Sequence, residues 1–434
     1  MQQKTVGRDN DDGVVLLIGS GRRAYREYLI RGLAERAPVW LIDEEPASWQ
    51  APYLAGSSVV GMLDPARAVP DEPALIDAAA EVGKQRHVAG VCSYDEGSVI
   101  ATAVVAERLG LPGLTVAGAE HCRDKHLTRT ALTAAGLRQP RFVLVNTAEE
   151  AAAAAEQIGF PVVLKPRGMG ASAGVVRISS PDEVAGAFQI STRAGHAGPP
   201  DFEQGLLVEE MVDGPEISVD GVVTGGEYQP FCLARKHLGP PPCFEEVGHI
   251  VDGRDLLAED MGLRLMLAQA HRVLGLADGI THTEIRLTAS GPVIIEVNGR
   301  LGGDLIPYLG KLATGVDPGQ VAADVARGTP PWLIPSHRHV AGVRFLYPPQ
   351  DCRIGGMSLP RRGTVPGLLR AEPLAATGAA VYLPPRAHLG RYAALIALSS
   401  DAASCQAALD QAAALASVTA EPLSPSELEP EHLL

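Results

Sequence analysis

Short apolar runs alternate with helical patterns near the start of the chain, and this alternation constrains the fold more than any other feature. An apolar run at residues 14–18 ends in Gly19-Ser20-Gly21, a helical pattern covers 22–35, and a second apolar run follows at 39–42. Further helix, strand and helix patterns follow at 73–84, 87–92 and 97–109. Because parallel strands need crossover connections, this order predicts a doubly wound, parallel α/β sheet.

Composition and charge exclude several classes of protein. The chain has 434 residues, of which 46% are hydrophobic, and this length leaves room for about three modules with cores of their own. A net charge of −14 makes a nucleic-acid partner unfavourable. Six cysteines without a CxxC pair argue against zinc clusters and a secreted disulfide framework. No run approaches the roughly 18 apolar residues of a membrane helix. A cytoplasmic protein without a membrane partner is therefore expected.

A second, α+β module follows the first. A helical pattern at 119–136 closes the first module, and an alanine-rich helix begins at the capping box formed by Thr147 and Glu150. Strand patterns then dominate up to residue 298, and the proline-rich stretch at 328–336 marks a boundary. The predicted division is a flexible leader at 1–13, an N-terminal α/β domain at 14–118, a central domain at 119–330, a smaller C-terminal α+β domain at 331–420 and an acidic tail at 421–434.

The first glycine-rich turn allows two interpretations. Residues 19–24 match GxGxxA between a strand and a helix, and Asp43 follows the next strand, as in dinucleotide-binding folds. This pattern on its own favours NAD. However, any tight turn beneath a helix benefits from glycine, and an acidic loop after a strand is common. A structural role is therefore the favoured interpretation, with an NAD-dependent oxidoreductase as the alternative.

The second glycine-rich loop, residues 168–174, follows Lys165 at the end of a strand pattern. It differs from the Walker motif because the lysine precedes the glycines. Small residues let backbone N–H groups approach phosphate oxygens, and a lysine on a strand supplies a positive charge. The pattern predicts a phosphate site, with a flexible hairpin as the alternative.

An acidic cluster is predicted on two strands near residue 290. Alternation puts Glu284 on one face of the first strand and aligns Glu296 with Asn298 on the second. Paired strands would bring two carboxylates and an amide oxygen together, which suits Mg²⁺ or Mn²⁺. Arg300 follows Glu296 by four positions and offers a forked donor for phosphate or carboxylate. The alternative is a solvated acidic face.

Taken in order, these motifs resemble the ATP-grasp superfamily of carboxylate–amine ligases over residues 120–316. The resemblance implies an ATP-grasp fold with an N-terminal parallel α/β domain, a central ATP-grasp domain and a small C-terminal lid domain. It also implies that Lys125 and Lys165 hold the phosphates of ATP, together with the loop residues Gly168, Gly170 and Ser172.

Further residues follow from this resemblance. The family's adenine hinge is similar to residues 208–216, where the backbone of Glu210 and Val212 would meet the base. Glu209 would lie beside the base edge, and Glu216 would bind the ribose hydroxyls. Glu284, Glu296 and Asn298 would form the metal site.

Within the superfamily, the chain most resembles the L-amino-acid ligases, which join two amino acids. On this resemblance, Glu246 and His249 would line the acceptor pocket and Arg300 would stabilise the phosphorylated intermediate. Gly303 and Asp304 add little bulk and one charge near the pocket, which would suit a cationic or amino-bearing substrate.

The expected reaction is amide formation through an acyl phosphate, with Lys165 and Arg300 as catalytic residues and ATP and Mg²⁺ or Mn²⁺ as cofactors. The expected partners are small carboxylate and amine substrates, with amino acids foremost, and a second copy of the chain, because related folds are often dimers. Two rivals remain beside the oxidoreductase. One is an ATP-grasp carboxylase or a ligase for another metabolite, and the other is an ATP-binding regulator without chemistry.

Overall fold

The computed structural model describes residues 13–62, 71–170, 172–196, 204–239, 244–384, 386–424 and 427. Most of the predicted leader, Ala171 of the glycine loop and residues 425–426 and 428–434 of the predicted tail lie outside this part. Within the described ranges, no helix has the length and apolar character needed to cross a membrane.

The first sheet is parallel and has four strands in the order β3-β2-β1-β4, which confirms the predicted α/β module. Its strands are β1 (Val14–Ile18), β2 (Val39–Asp43), β3 (Gly56–Val59) and β4 (Val88–Ser93). The helices of this part are α1 (Arg23–Arg36), α2 (Glu72–Gln85) and α3 (Val99–Leu109). Every residue of β1 is buried because one face packs in a cluster with α1 and the other in a cluster with α2 and α3.

The region predicted as one helix over 119–136 forms two helices instead, α4 (Val116–Arg123) and α5 (Lys125–Ala134), so that prediction was wrong. Asp124 ends α4 and begins α5, and its Oδ1 accepts the N–H of His126 at 2.8 Å. The Arg167 guanidinium also binds this carboxylate. The break makes Lys125 the first residue of α5.

The second sheet is antiparallel, with strand order β5-β8-β6-β7. Its elements are β5 (Phe142–Val145), α6 (Ala148–Ile158), β6 (Val162–Pro166), β7 (Val176–Ile178), α7 (Val184–His196) and β8 (Leu206–Glu210). Thr147 Oγ1 accepts the N–H of Glu150 at 3.2 Å, as the capping box predicts. The glycine-rich loop connects β6 to β7 and therefore lies at the end of the strand that carries Lys165.

An antiparallel sheet of eight strands forms the centre of the molecule, in the order β13-β12-β9-β10-β11-β14-β18-β16. The strands up to residue 298 are β9 (Glu216–Thr224), β10 (Glu227–Leu238), β11 (Glu246–Asp252), β12 (Gly279–Thr288) and β13 (Gly291–Asn298). The helices that follow β11 and β13 are α8 (Met261–Val273), α9 (Ile306–Thr314) and α10 (Pro318–Ala326).

The chain beyond residue 330 extends the same sheet. Its elements are β14 (Val340–Leu346), β15 (Cys352–Ser358), β16 (Leu368–Pro373), β17 (Ala380–Val381), β18 (Ala393–Ser399), α11 (Ala402–Leu415) and β19 (Ser417–Glu421). Strand β14 pairs with β11, so hydrogen bonds of the sheet cross the boundary predicted at residue 331. Strands β17, β15 and β19 form a separate small sheet. The domain boundaries proposed from the sequence remain predictions.

Candidate active site

Two acidic side chains face each other across the β12–β13 hairpin. The antiparallel register sets Glu284 opposite Glu296, and Asn298 is 3% exposed two residues further along β13. Both carboxylates contact lysines of the chain. Lys125 Nζ lies 3.0 Å from Glu296 Oε1, and Lys236 Nζ lies 3.1 Å from Glu284 Oε1. Two carboxylates and an amide thus lie together, as the alternation of the strands predicts.

Lys165 is buried on β6 and forms an ion pair with Glu209 on the neighbouring strand β8. Its Nζ lies 2.7 Å from Glu209 Oε2, and Arg129 binds the same carboxylate through two nitrogens at 2.8 and 3.2 Å. Burial opposes ionisation of Glu209, but the two cations outweigh it and lower the pKa of Glu209 to about 2. Burial also lowers the pKa of Lys165, against the attraction of Glu209. The pair positions one cation at the start of the glycine loop.

The glycine loop lies against Lys125. Lys125 Nζ donates a hydrogen bond to the carbonyl oxygen of Met169 at 2.6 Å. Ser172 has a left-handed backbone with φ 58°, and its hydroxyl donates to the carbonyl oxygen of Phe244 at 3.1 Å. The carbonyl oxygen of Gly168 accepts from Arg123 at 3.0 Å. These contacts connect the loop to α5 and to the segment that precedes β11.

Most of the predicted nucleotide and metal residues line one cavity of about 130 Å³. Gly168 is absent from its lining, whereas the apolar side chains of Val163, Leu238 and Ile295 contribute to it. The predicted site residues that line this cavity are Lys125, Lys165, Gly170, Ser172, Glu209, Glu210, Val212, Glu216, Glu246, Glu284, Glu296, Asn298 and Arg300. Apolar surface beside lysines and carboxylates provides the chemistry that a base, a triphosphate and its metal ions require.

The predicted hinge lies at the end of β8. The N–H of Glu210 donates to the carbonyl oxygen of Arg141 at 2.9 Å, so a contact of this residue with a base would use its carbonyl oxygen. Glu216 begins β9 and contacts Arg286 and Lys236, each at 2.7 Å. Its carboxylate is therefore fixed at the cavity wall before any ligand binds.

Lys236 on β10 is a central residue of the site that the sequence analysis missed. Its side chain is 1% exposed, and Nζ lies 2.7, 2.6 and 3.1 Å from Glu216, Glu246 and Glu284. Burial opposes the charge, but the three carboxylates outweigh it and raise the pKa of Lys236. The three acids belong to the predicted ribose, substrate and metal contacts, so one ammonium connects all three.

A carboxylate in the N-terminal part of the chain, that of Glu96, binds Arg300. Glu96 binds Arg300 Nε through one oxygen, and its other oxygen lies 2.5 Å from Arg123 Nη1. Burial opposes ionisation of Glu96, but both arginines outweigh it and lower its pKa to about 2. Glu96 therefore orients the predicted catalytic arginine, a role that the sequence analysis did not assign.

A second cavity of about 100 Å³ adjoins the first, and Ser172, Glu246, Glu284 and Arg300 line both. Gly303 and Asp304 line only the smaller cavity. The prediction that Asp304 adds one charge to the pocket was wrong, because two nitrogens of Arg391 bind the Asp304 carboxylate at 2.7 and 2.6 Å. Asp304 is neutralised within the protein.

His249 lies behind this wall rather than in it. It is fully buried, and its Nε2 lies 3.1 Å from Glu246 Oε2 and 3.8 Å from Asp304 Oδ2. Burial lowers the pKa of His249, but the two carboxylates outweigh this effect and raise it. His249 thus contacts Glu246 and Asp304 from outside the described lining, and its functional role at the acceptor pocket stays a prediction.

The first glycine-rich turn uses its own polar groups. Gly19 and Gly21 have φ values of 71° and 66°, which explains the glycines without a ligand. Asp43 Oδ2 accepts hydrogen bonds from the N–H and hydroxyl of Ser20 at 3.1 and 2.5 Å. This is the structural role that the sequence interpretation favoured.

Lys236 and Glu96 were not predicted, and only Lys236 could have been recognised from the sequence. Lys236 continues the alternation of the buried residues Cys232 and Ala234 along β10, so a lysine at a buried position was visible as an anomaly. Glu96 lies 204 positions from Arg300, and no local pattern connects the two.

Comparison with known proteins defines the class. Residues 158–308 match the ATP-grasp domain family. The chain also superposes on an L-amino acid ligase from Bacillus licheniformis with a TM-score of 0.75 and 21% identity, over 94% of this chain and 99% of that one. Residues 158–308 therefore form a match to an ATP-grasp domain, and the fold inferred from the motifs is confirmed.

Two relatives narrow the comparison. An uncharacterized protein of Sinorhizobium fredii is 30% identical over 322 residues, or 73% of this chain and 64% of that protein. The alanine–anticapsin ligase of Bacillus subtilis is 30% identical over 274 residues, or 58% of this chain and 57% of the ligase. The matches therefore span less than two thirds of either relative.

Proposed function

We propose that the chain is an ATP-dependent carboxylate–amine ligase that uses an amino acid as at least one substrate and releases ADP and phosphate. The observation that carries the proposal is the joining of Lys125, Lys165, Glu284, Glu296 and Arg300 around one cavity. The names of the relatives, an alanine–anticapsin ligase and an L-amino acid ligase, support amino acids as the substrate class.

Amide formation from a carboxylate and an amine requires that the carboxylate be activated first. A carboxylate resists attack by an amine because its charge repels the nucleophile and oxide is a poor leaving group. Transfer of the γ-phosphoryl group of ATP to a carboxylate oxygen gives an acyl phosphate and ADP. The amine then attacks the carbonyl carbon, loses a proton, and the C–O bond to phosphate breaks. One amide, one ADP and one phosphate result.

The donor set of the β12–β13 hairpin fits Mg²⁺ or Mn²⁺. Two carboxylates in register and a buried amide provide only oxygen ligands, which both ions prefer. Glu284, Glu296 and Asn298 would hold the metal. Bound there, it would neutralise phosphate charge.

The residues of the chain would perform the remaining tasks. Lys125 and Lys165 would bind phosphate oxygens, exchanging their present contacts with Glu296 and Glu209 for the ligand. Arg300, oriented by Glu96, would bind the negative charge that develops on the carbonyl and phosphate oxygens. The glycine loop would cover the acyl phosphate and exclude water.

The test measures ADP release with Mg-ATP and a mixture of amino acids, with and without bicarbonate, and identifies products by mass spectrometry. We expect ADP in the presence of amino acids and a product mass equal to two substrates minus water. ADP that depends on bicarbonate, or ATP binding without phosphate release, would instead support a carboxylase or a regulator.

Three substitutions test the roles proposed for Glu296, Arg300 and Lys165. Glu296→Ala and Arg300→Ala should abolish ADP release with the fold intact, and Lys165→Ala should mainly weaken ATP binding. The matched controls are Glu81→Ala and Lys84→Ala, because these side chains form an exposed pair on α2. Full turnover in Glu296→Ala or Arg300→Ala, or an unchanged ATP titration in Lys165→Ala, contradicts the assignment.

A further inference from the structure

The smaller cavity is lined by four carboxylates, and three of them contact a lysine or arginine among the described residues. Lys236 contacts two of these acids, and Arg391 binds a third, Asp304. Arg300 also lines the cavity, but Glu96 binds its guanidinium. The four carboxylates of the lining are Glu245, Glu246, Glu284 and Asp304.

Glu245 is the carboxylate left over. It is 7% exposed. Its Oε1 accepts hydrogen bonds from the Tyr347 hydroxyl at 3.0 Å and from the N–H of Leu389 at 2.8 Å. Its Oε2 is buried and accepts no hydrogen bond from any residue that the structure describes. Among the described residues, no lysine or arginine nitrogen lies within 4.0 Å of this carboxylate. A buried carboxylate without a lysine or arginine partner is costly, so a cationic group of a ligand would stabilise it.

His388 is the nearest basic side chain to Glu245 Oε2 among the described ion pairs, but it forms no hydrogen bond with this oxygen. Its Nδ1 lies 3.7 Å from Glu245 Oε2, too far for a hydrogen bond. Its Nε2 accepts the N–H of Gly174 at 3.4 Å. Glu245 Oε2 therefore has no hydrogen-bonded partner among the described residues.

We propose that Glu245 binds the side-chain ammonium or guanidinium of an amino acid substrate, and that the site thereby selects a basic amino acid. This inference rests on the proposed function. Glu245 lines only the smaller cavity, whereas Glu284 and Arg300 also line the larger one. A group bound at Glu245 would thus lie in the part of the site outside the larger cavity, where the end of a substrate side chain would fit. Asp304 cannot take this role because Arg391 already binds it.

The experiment compares lysine with norleucine, and arginine with citrulline, as substrates of the full chain and of Glu245→Gln. In each pair the second compound keeps a similar chain and lacks the charge. We expect the unmodified chain to prefer the charged member by at least about tenfold in kcat/KM, because a buried ionic group rejects a neutral analogue. Glu245→Gln should lose about that factor for the charged member and change by less than about threefold for the neutral one.

Controls separate this role from a structural one. Glutamine keeps an acceptor oxygen for Tyr347 and Leu389, so the melting temperature of Glu245→Gln should stay close to that of the unmodified chain. Glu259→Gln changes an exposed acid, paired with Arg264 at 2.9 Å, and should leave both preferences unchanged.

Each other outcome overturns the inference. Equal use of charged and neutral members, an unaltered preference in Glu245→Gln, or an equal loss for all amino acids would do so, the last because it indicates contact with the α-ammonium group. ADP release with neutral amino acids alone rejects the inference and leaves the proposed function standing. No ADP release with any amino acid rejects the proposed function itself.

Discussion

Lys236 contacts three carboxylates that line the larger cavity, and it does so from a nearly inaccessible position on β10. Arg300 and Arg123 share Glu96 in a similar way. Buried charges of this kind need partners, since removal of one partner leaves the other without compensation. At the scale of single residues, the site is therefore a set of ion pairs arranged before ligands bind.

Lys236→Met tests this arrangement. The variant leaves Glu216, Glu246 and Glu284 together without their shared cation, so we expect the free energy of unfolding to fall by about 3–5 kcal/mol. Lys84→Met is the control, because its pair with Glu81 is exposed to solvent and contributes little to stability. Urea denaturation measures both. Equal stability of the two variants contradicts the role of Lys236.

Glu96 makes the stability depend on pH. Its pKa is lowered from 4.5 to about 2, so the pairs with Arg300 and Arg123 stabilise the fold fully above pH 4.5, and this contribution is lost as pH falls toward 2. Glu96→Gln should be less stable than the unmodified chain near neutral pH, by on the order of 3 kcal/mol. The difference in unfolding free energy between the two proteins should decrease when the pH of the urea denaturation is lowered from about 4.5 to about 3. A constant difference across this range contradicts the ion pairs.

The segment after β13 turns tightly beneath β9 and β12. The N–H of Gly302 donates to Asp220 Oδ1 at 3.2 Å, and the same oxygen lies 2.6 Å from His282 Nδ1. A Cβ at Gly302 would meet His282 Nδ1 at 2.8 Å and Asp220 Oδ1 at 3.1 Å, whereas a Cβ at Gly303 would meet nothing within 4 Å. At the scale of elements, this contact sets the path of the chain from Arg300 to Asp304.

Gly302→Ala should therefore destabilise the chain by about 1–3 kcal/mol, because the buried Asp220 and His282 side chains must move. Gly303→Ala should change stability by less than about 0.5 kcal/mol, since its methyl group meets open space. Thermal unfolding of the two neighbouring variants makes the comparison. A larger loss in Gly303→Ala than in Gly302→Ala would contradict the packing described for this turn.

Periodicity predicted most of these elements from the sequence. The buried β1 follows from a continuous apolar run, whereas the opposition of Glu284 and Glu296 on the β12–β13 hairpin follows from local alternation. The break between two helices at Asp124 could not be predicted in this way. An aspartate that ends one helix and caps the next looks like an ordinary polar residue inside a single helical pattern. The contact of Glu96 with Arg300 and the neutralisation of Asp304 by Arg391 also escaped, because long-range partners leave no periodic signal.

The whole molecule closes its site with segments far apart in sequence. Arg391 reaches back from the turn before β18 to Asp304 and to the carbonyl oxygen of Glu246 at 2.8 Å. Glu96 contributes from the N-terminal sheet region, and β14 extends the central sheet. The chain beyond residue 330 thus takes part in the smaller cavity.

Ligand-linked stability tests the molecule as a unit. Mg-ATP at about 100 times its dissociation constant should stabilise the fold by about 2.7 kcal/mol and raise the melting temperature, because it binds only the folded state. NADH should produce no shift, since Asp43 is engaged with Ser20. A shift with NADH and none with Mg-ATP would reverse the assignment of the two glycine-rich turns.

The most direct measurement of the proposed chemistry follows an oxygen atom. An amino acid substrate labelled with ¹⁸O in its carboxylate is incubated with Mg-ATP and its partner amine, and the released phosphate is analysed by mass spectrometry. If the carboxylate attacks the γ-phosphorus, each amide formed transfers one labelled oxygen to phosphate. Unlabelled phosphate released in step with the amide would contradict an acyl phosphate at this site.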